Sequence, residues 1–236
     1  MKKVLGCLRK AVEDFNMIQE GDRIAVGVSG GKDSLILLKA LKLYQYFSPV
    51  KYEIEAITLT MGLDGFDLTG VQEFCKELEI PYTIRETQIG RIVFDVRKEK
   101  NPCSLCAKLR RGALHNVALE RGCRKVALGH HREDVIETVF LSLFYEGRFN
   151  TFSPVTYLDR KGITLIRPLV YAPEADIIGA ARRHKVPIVK NPCPMNGHSQ
   201  RQYMKNLIKN IAKDIPDVQE RILGALKNKD NRNLWD

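Results

Sequence analysis

No stretch of about 18 consecutive apolar residues, the length a membrane-crossing helix needs, occurs in the 236-residue chain. The N-terminus likewise lacks the apolar core of a signal peptide, so the sequence predicts a soluble, cytoplasmic protein with no membrane partner. There is no internal repeat and no low-complexity segment. Acidic residues are in deficit, 28 Asp and Glu against 38 Lys and Arg, for a formal charge of +10. A surplus of that size favours a polyanionic partner, nucleic acid among others. The six cysteines have no secretory context and therefore read as reduced thiols or metal ligands rather than disulfides. At this length the chain can bury a sizeable core, as one large domain or one domain with an appendage.

What is present is organised around Arg23-Ile-Ala-Val-Gly-Val-Ser-Gly-Gly-Lys-Asp-Ser34, followed by Leu35-Ile-Leu-Leu38. A short β-branched run, a glycine-rich turn and a leucine-rich segment predict strand, tight loop and helix. The helix N-terminus carries amides without intrahelical partners and the positive end of the dipole, so Val28, Ser29, Gly30, Gly31, Lys32, Asp33 and Ser34 can cradle phosphate. A Walker A loop is excluded, because that motif has four residues between its glycines and Lys directly before Ser or Thr. Here three residues separate Gly27 from Gly31, and Asp33 intervenes between Lys32 and Ser34. Ser29-Gly-Gly-Lys-Asp-Ser34 instead resembles the PP-loop of the N-type ATP pyrophosphatases.

The remaining chain predicts an amphipathic helix over residues 2 to about 16, with Val4, Leu5, Leu8 and Val12 on one side. Strands follow at Tyr52–Leu59, Tyr82–Arg85, Lys125–Leu128 and Val186–Val189, with a hairpin at Val155–Leu158 and Ile163–Ile166. Helices are expected near Leu68–Leu78, Ser104–Arg121, Val135–Phe144 (apolar nearly all round, hence buried) and from Pro173 to His184. Two basic helices fill Gln200–Lys227. Glu86 to Pro102 reads as a loop, with Arg97-Lys-Glu-Lys100 exposed, and Asn228–Asp236 as a frayed tail. This alternation argues for an α/β fold, a doubly wound, mostly parallel sheet with ligands at the strand C-terminal ends. The expected divisions are an N-terminal helix (1–20), the nucleotide domain with the cysteine helix (21–190), and a third-cysteine loop with basic helices packed on the same domain (191–236).

Cys103-Ser-Leu-Cys106 opens a helix, where the dipole favours thiolates, and Cys193 sits on a proline-braced loop. Cys7, Cys75 and Cys123 read as packing residues. Three thiolates admit two completions. His198 would make a closed Cys₃His zinc site, or the three would hold a [4Fe–4S] cluster with one iron lacking a protein ligand. Residue types alone do not choose.

Ser29–Ser34, Cys103-Ser-Leu-Cys106-Ala-Lys-Leu-Arg-Arg-Gly112, Gly129-His-His-Arg-Glu-Asp134, Arg167-Pro-Leu169 and Gln200-Arg-Gln202 occur in the order of the tRNA 2-thiocytidine synthetase family, which the chain resembles from residue 1 to about 225. The resemblance implies a PP-loop α/β fold, with ATP, magnesium and an oxygen-sensitive [4Fe–4S] cluster as cofactors. It implies tRNA as substrate, thiolated at cytidine 32. Two positions depart from the family pattern. Met195-Asn196 stands where a further cysteine often follows the third ligand, so Cys193 alone completes the set with Cys103 and Cys106. Glu133 replaces the first aspartate of His-His-x-Asp-Asp, which shifts the expected catalytic or magnesium-facing carboxylate to Asp134.

The implied chemistry is attack of the cytosine C2 oxygen on the ATP α-phosphate, release of pyrophosphate, and displacement of AMP by sulfide. Lys32 and the loop amides would stabilise the departing charge, and Asp33 or Asp134 would position magnesium. Arg110, four positions after Cys106, matches a basic residue of related thiolases and would stabilise the activated oxygen. Gly129, His130, Thr58 and Leu59 would line the adenosine site, with His130 packed beneath the loop. Lys108, Arg111, Arg201, Lys205 and Lys209 are the candidate RNA contacts. An open iron could hold an exogenous sulfide beside the activated base, which favours the cluster over zinc; zinc or empty thiols would follow from exposure to air. The sulfur donor, a cysteine desulfurase or free sulfide, is left open, as is the oligomeric state, a homodimer included. Competing readings are a thiolase of tRNA uridine, a tRNA-lysidine synthetase, which leaves the cysteines unexplained, and a non-enzymatic iron–sulfur or RNA-binding module, which leaves Lys32-Asp33-Ser34 unexplained.

Overall fold

The computed structural model describes residues 1–63, 65–97, 102–189, 192–193 and 200–228. His198, Met195, Asn196, residues 98–100 and the tail from 229 lie outside the described residues, and with them the expectations placed there. Six strands form one sheet in the order β3-β2-β1-β4-β6-β5, comprising β1 (Asp22–Gly27), β2 (Tyr52–Leu59), β3 (Tyr82–Arg85), β4 (Lys125–Ala127), β5 (Val155–Leu158) and β6 (Ile163–Ile166). All neighbours pair in parallel except β5 and β6, the expected hairpin.

The two-residue period of β1 decides which layer each side chain joins. Ile24 and Val26 face a core shared with α1 (Lys2–Asp14), α2 (Lys32–Tyr44), α3 (Thr69–Glu77) and α7 (Glu174–Arg183). Ala25 faces the opposite side, where Val117 and Ala118 of α5 (Pro102–Glu120) pack with Val126, Ile163 and Leu165. The result is a three-layer, doubly wound α/β fold. Strand order reverses direction at β1, so the loops after β1 and β4 flank the crevice where such sheets take ligands.

Three expectations need correction. Val186–Val189 forms no strand; the Val189 N–H instead donates to the Gly30 carbonyl at 2.9 Å, laying this segment across the nucleotide loop rather than along a sheet edge. The stretch after Glu86 is partly helical: α4 (Ile89–Arg91) runs on into a π-helical turn, Ile92–Arg97. Its buried Ile89 and Val93, packed with Cys106, are the reason, as they give a loosely patterned segment a small core of its own. The helix after β4 begins earlier than expected, as α6 (Arg132–Leu141), and its continuation Ser142–Glu146 is a π-helical turn. Val135, Ile136 and Val139 are buried, but Leu143 and Phe144 face solvent, so this helix is not buried all round.

The two C-terminal helices, α8 (Gln200–Asp214) and α9 (Val218–Lys227), pack against α6. Among the described residues no helix is long and apolar enough to cross a membrane. Cys75 and Cys123 are buried and Cys7 packs against the main core, as the sequence suggests for packing residues.

Candidate active site

The nucleotide loop is a closed ring of short polar contacts. Ser34 Oγ donates to the Gly31 carbonyl at 2.9 Å and accepts from the Ser29 N–H at 3.1 Å. Ser29 Oγ lies 3.2 Å from Ser34 Oγ and accepts weakly from the Gly31 N–H at 3.4 Å. Gly30 has φ +79°, and a Cβ there would meet Val189 at 3.0 Å. This glycine is therefore required twice, by conformation and by close packing. Leu35 N–H closes the first turn of α2 on Gly31, leaving the amides ahead of it turned toward the crevice as donors. A Cβ on Gly129 would come within 3.1 Å of the Ser34 amide nitrogen, so only glycine lets the chain after β4 reach the start of α2.

Val28 is held by main-chain and side-chain contacts from β2. Its N–H donates to Ile57 O at 2.8 Å, and its carbonyl accepts from Thr58 Oγ1 at 2.7 Å. Thr58 accepts in turn from the Tyr82 hydroxyl at 2.8 Å, so its side chain braces the loop from below, while half-buried Leu59 ends the strand.

The charged groups form one network across the crevice. Lys32 Nζ lies 3.1 Å from both Asp33 Oδ2 and Glu174 Oε1, and Glu174 Oε1 also receives Lys205 Nζ at 2.7 Å. Burial lowers the Lys32 pKa, but Asp33 and Glu174 outweigh it and the net shift is upward. Glu133 accepts from the Glu174 N–H at 2.8 Å and from Arg132 at 2.9 Å, and stands 3.2 Å from His131 Nδ1. Burial works against its ionisation, yet His131 and Arg132 hold its pKa down at about 2.

His131 is buried among Glu133, Asp134 at 3.5 Å and Asp33 at 3.9 Å; burial opposes its charge, but these three carboxylates raise its pKa. Asp134 accepts from the His131 N–H at 3.0 Å, closing the start of α6. His130, by contrast, packs on Phe152 with ring centroids 4.8 Å apart, and burial drives its pKa down to about 4.

Arg201 and Lys205, expected to meet RNA, point into this network. Arg201 lies 3.6 Å from Asp134 Oδ1 and 3.2 Å from the buried Glu137, and Lys205 sits on Glu174. Lys209 lines a small pocket with Lys205, Glu133, Glu137 and Glu174. Lys108 and Arg111 are exposed on α5.

The cysteines gather at the same end of the sheet. Helix α5 spans about 28 Å and leads into the N-terminal edge of β4, so its first turn, with exposed Cys103 and buried Cys106, starts from the C-terminal edge of the sheet, where Cys106 packs with Ile89 and Val93. Burial raises the Cys106 pKa; Arg110 hydrogen-bonds that thiol and counters part of the shift, while Cys193 and Cys103 are both near enough to push it further up. Val189 is bonded to Gly30, and four residues of chain reach at most about 14 Å, which keeps Cys193 close to the nucleotide loop. Among the described residues no three Cys, His, Asp or Glu side chains stand close enough to grip a metal ion. The donor type nonetheless suits an iron–sulfur group, since Cys103 and Cys193 are both near enough to act on the Cys106 thiol and thiolates are soft ligands. At the other end Asp33 Oδ1 is buried without a hydrogen-bond partner, which suits a hard cation such as magnesium.

Glu174, Glu137 and the buried setting of His131 are the parts that reading the sequence missed. The only signal for Glu174 is an acid directly after the helix-opening Pro173, and that pattern serves equally as dipole compensation in any helix.

A family profile described as a PP-loop domain matches residues 5–213. A tRNA-cytidine(32) 2-sulfurtransferase of Geobacter metallireducens is 40% identical over 238 residues, covering 100% of this chain and 93% of the relative. A second, from Geotalea uraniireducens, is 41% identical over 230 residues, covering 96% and 91%. The solved structure of the U34-tRNA thiolase NcsA from Methanococcus maripaludis with its [4Fe–4S] cluster superposes with a TM-score of 0.77 at 27% identity, covering 95% of this chain and 76% of that one. With a PP-loop profile over most of its length and full-length relatives at this identity, the chain belongs to the tRNA-cytidine(32) 2-sulfurtransferase family of PP-loop proteins.

Proposed function

We propose that this chain uses ATP to activate the C2 oxygen of cytidine 32 in tRNA and replaces that oxygen with sulfur. The observation that carries the reading is the closed Ser29–Ser34 loop, to which the segment leading to Cys193 is tied by the Val189–Gly30 hydrogen bond, while Cys193 and Cys103 both act on the Cys106 thiol. Phosphate would lie on the amides at the start of α2, with Lys32 exchanging Glu174 for the departing pyrophosphate. Donors already fixed where charge develops lower the barrier without reorganisation. Asp33, whose Oδ1 accepts no hydrogen bond, and Asp134 would hold magnesium on the phosphates. The C2 oxygen forms its bond to the α-phosphorus as the bond to pyrophosphate breaks. Sulfide then forms the C–S bond as the C–O bond to AMP breaks.

Cys103, Cys106 and Cys193 would hold the iron–sulfur cluster, which supplies an iron able to carry sulfur. Arg110, hydrogen-bonded to Cys106, would steady the activated oxygen. His130 is kept neutral by burial and serves as a packing surface for the adenosine site with Gly129, Thr58 and Leu59. Lys108, Arg111 and Lys209 are the RNA-facing cations, with Arg201 and Lys205 holding the acidic residues in place until substrate arrives. A cytoplasmic location follows from the substrate, and the sulfur would come from a desulfurase or free sulfide. Incubation with ATP and a tRNA transcript should release pyrophosphate only when both are present. Release dependent on an added amino acid instead would point to lysidine-type chemistry and overturn the reading.

A further inference from the structure

Chemistry at the C2 oxygen of a loop nucleotide requires that base to leave its stack, at a cost of a few kcal/mol, and single-stranded RNA is usually held by aromatic side chains that replace the lost stacking. Among the described residues no exposed aromatic ring stands in the Lys32–Asp134–Glu174 network itself, where Phe152 packs on His130 and Arg167. Large exposed aromatic groups lie elsewhere. Tyr46 and Phe47 follow the C-terminus of α2, at the opposite edge of the sheet, and Tyr157 is on the edge strand β5. The others cluster on the extension of α6: Phe144 and Tyr145 are each 55% exposed and Phe149 58%, with Tyr203 of α8 at 60%.

The cluster is built rather than frayed. Phe140 meets Phe144 edge-on at 5.5 Å, fixing its ring. The π-helical turn Ser142–Glu146 ends at Gly147 in the left-handed region, and the Arg148 N–H returns to the Ser142 carbonyl at 3.1 Å. Such turns within α-helices recur at functional sites. The Tyr145 hydroxyl donates to Gln200 Oε1 at 2.5 Å, joining this turn to the first residue of α8, and Tyr203 lies one helical turn further on the same face. The one acid of the turn, Glu146, accepts from the Ser142 hydroxyl at 3.1 Å, and Arg148, two residues on, adds a cation to the same turn.

From this we infer that Phe144, Tyr145, Phe149 and Tyr203, with Arg148, form a stacking platform for the unpaired nucleotides of the tRNA anticodon loop. The inference rests on the proposed tRNA substrate. Asp134 and Tyr145 are 11 positions apart on one continuous helical run, about 16 Å, which roughly five stacked nucleotides would span at about 3.4 Å each. A seven-nucleotide loop fits that reach, with its target base at the α6 start and its neighbours on the rings. A chain of net charge +10 favours a polyanion such as RNA over a neutral or basic protein partner.

An anticodon stem-loop with 2-aminopurine beside the target cytidine reads stacking directly, through quenching on binding. Replacing Phe144, Tyr145 and Phe149 by Leu keeps the surface apolar and removes the rings; the Phe140–Phe144 contact and the Tyr145–Gln200 bond are lost with them, so the melting temperature should fall slightly while ATP affinity stays unchanged. The expected result is loss of quenching and roughly 5- to 150-fold weaker stem-loop binding per stacked base lost, with Phe144→Trp restoring both. Wild-type binding that the triple variant retains in full overturns the platform alone. Retained binding together with a shift from dimer to monomer on light scattering overturns it in favour of a second copy of this chain. Absence of any tRNA binding by the wild-type protein overturns the functional reading and this inference together.

Discussion

Around the nucleotide loop polar groups find one another inside the fold. Ser29, Ser34 and Gly31 close a ring, Thr58 and Tyr82 brace Val28, and Lys32 rests between Asp33 and Glu174. The cysteine end differs: Cys103 is exposed, Cys106 is buried and Cys193 is half-buried, the other two raise the Cys106 pKa, yet no three donors form a metal grip among the described residues. A phosphate site can be assembled from backbone amides that the fold must place anyway, whereas a soft-metal site consists of side chains whose geometry the metal itself completes. One end is thus preorganised by folding, and the other, on the proposed reading, would be completed by its cluster.

The sharpest way to separate the two ends is to disable each. Cys103→Ala, Cys106→Ala or Cys193→Ala should abolish iron binding and thiolation while leaving ATP affinity within about twofold, as expected for sites that do not share partners. Lys32→Ala should do the converse, retaining iron and lowering tRNA-dependent pyrophosphate release by about 10²–10³. Ser34→Ala should add a small loss of stability, about 1 kcal/mol, because the Ser29 N–H loses its acceptor. Equal loss of both activities in every variant would erase the distinction.

Thiol reactivity draws the same contrast among the cysteines. Burial pushes the Cys75 thiol up to about 11, about 100-fold less thiolate than an ordinary cysteine near neutral pH. Its folded pKa is raised, so the protonated form stabilises the fold below the unfolded value of about 9 and that contribution is lost as pH rises through 11. Alkylation of the native apoprotein at pH 8.5, followed by peptide mapping, should label Cys103 at least 100-fold faster than Cys75. Comparable rates would mean that Cys75 is not sealed in the core.

Charge reversal at Lys108 or Arg111 should reduce the salt slope of tRNA binding by about one each and weaken binding roughly uniformly across tRNA sequences. Arg201→Ala should act differently, altering ATP affinity more than the salt slope, because its partners are Asp134 and Glu137. The smallest effect concerns Glu174, which shares Lys32 with the incoming phosphate. Glu174→Gln should tighten ATP or pyrophosphate binding about fivefold by removing that competitor, on the scale of about 1 kcal/mol for a partly exposed ion pair, and calorimetry would register the change.

The sheet was legible because its strands are short apolar runs between helical periods, and the Ser29–Ser34 motif fixed where the crevice lies. Val186–Val189 misled because a β-branched run can satisfy its amides on a loop, here Gly30, as well as on a neighbouring strand. The π-helical turns at Ile92–Arg97 and Ser142–Glu146 have no sequence signature of their own, so the outward turn of Phe144 was invisible. In the site, residues next to a motif were found and residues brought in from afar were not. Glu174 reaches Lys32 across 142 positions of chain, and only the packing of α7 against α2 brings them together.

The most direct test of the whole account is nucleoside analysis of one reaction. Protein reconstituted with iron and sulfide without oxygen is incubated with ATP, sulfide and unmodified tRNA, and the digested RNA is read by mass spectrometry. The account predicts 2-thiocytidine mapping to position 32, dependent on ATP and absent when Cys103, Cys106 or Cys193 is replaced. Thiouridine in its place, or full activity from protein loaded with zinc and free of iron, would contradict it.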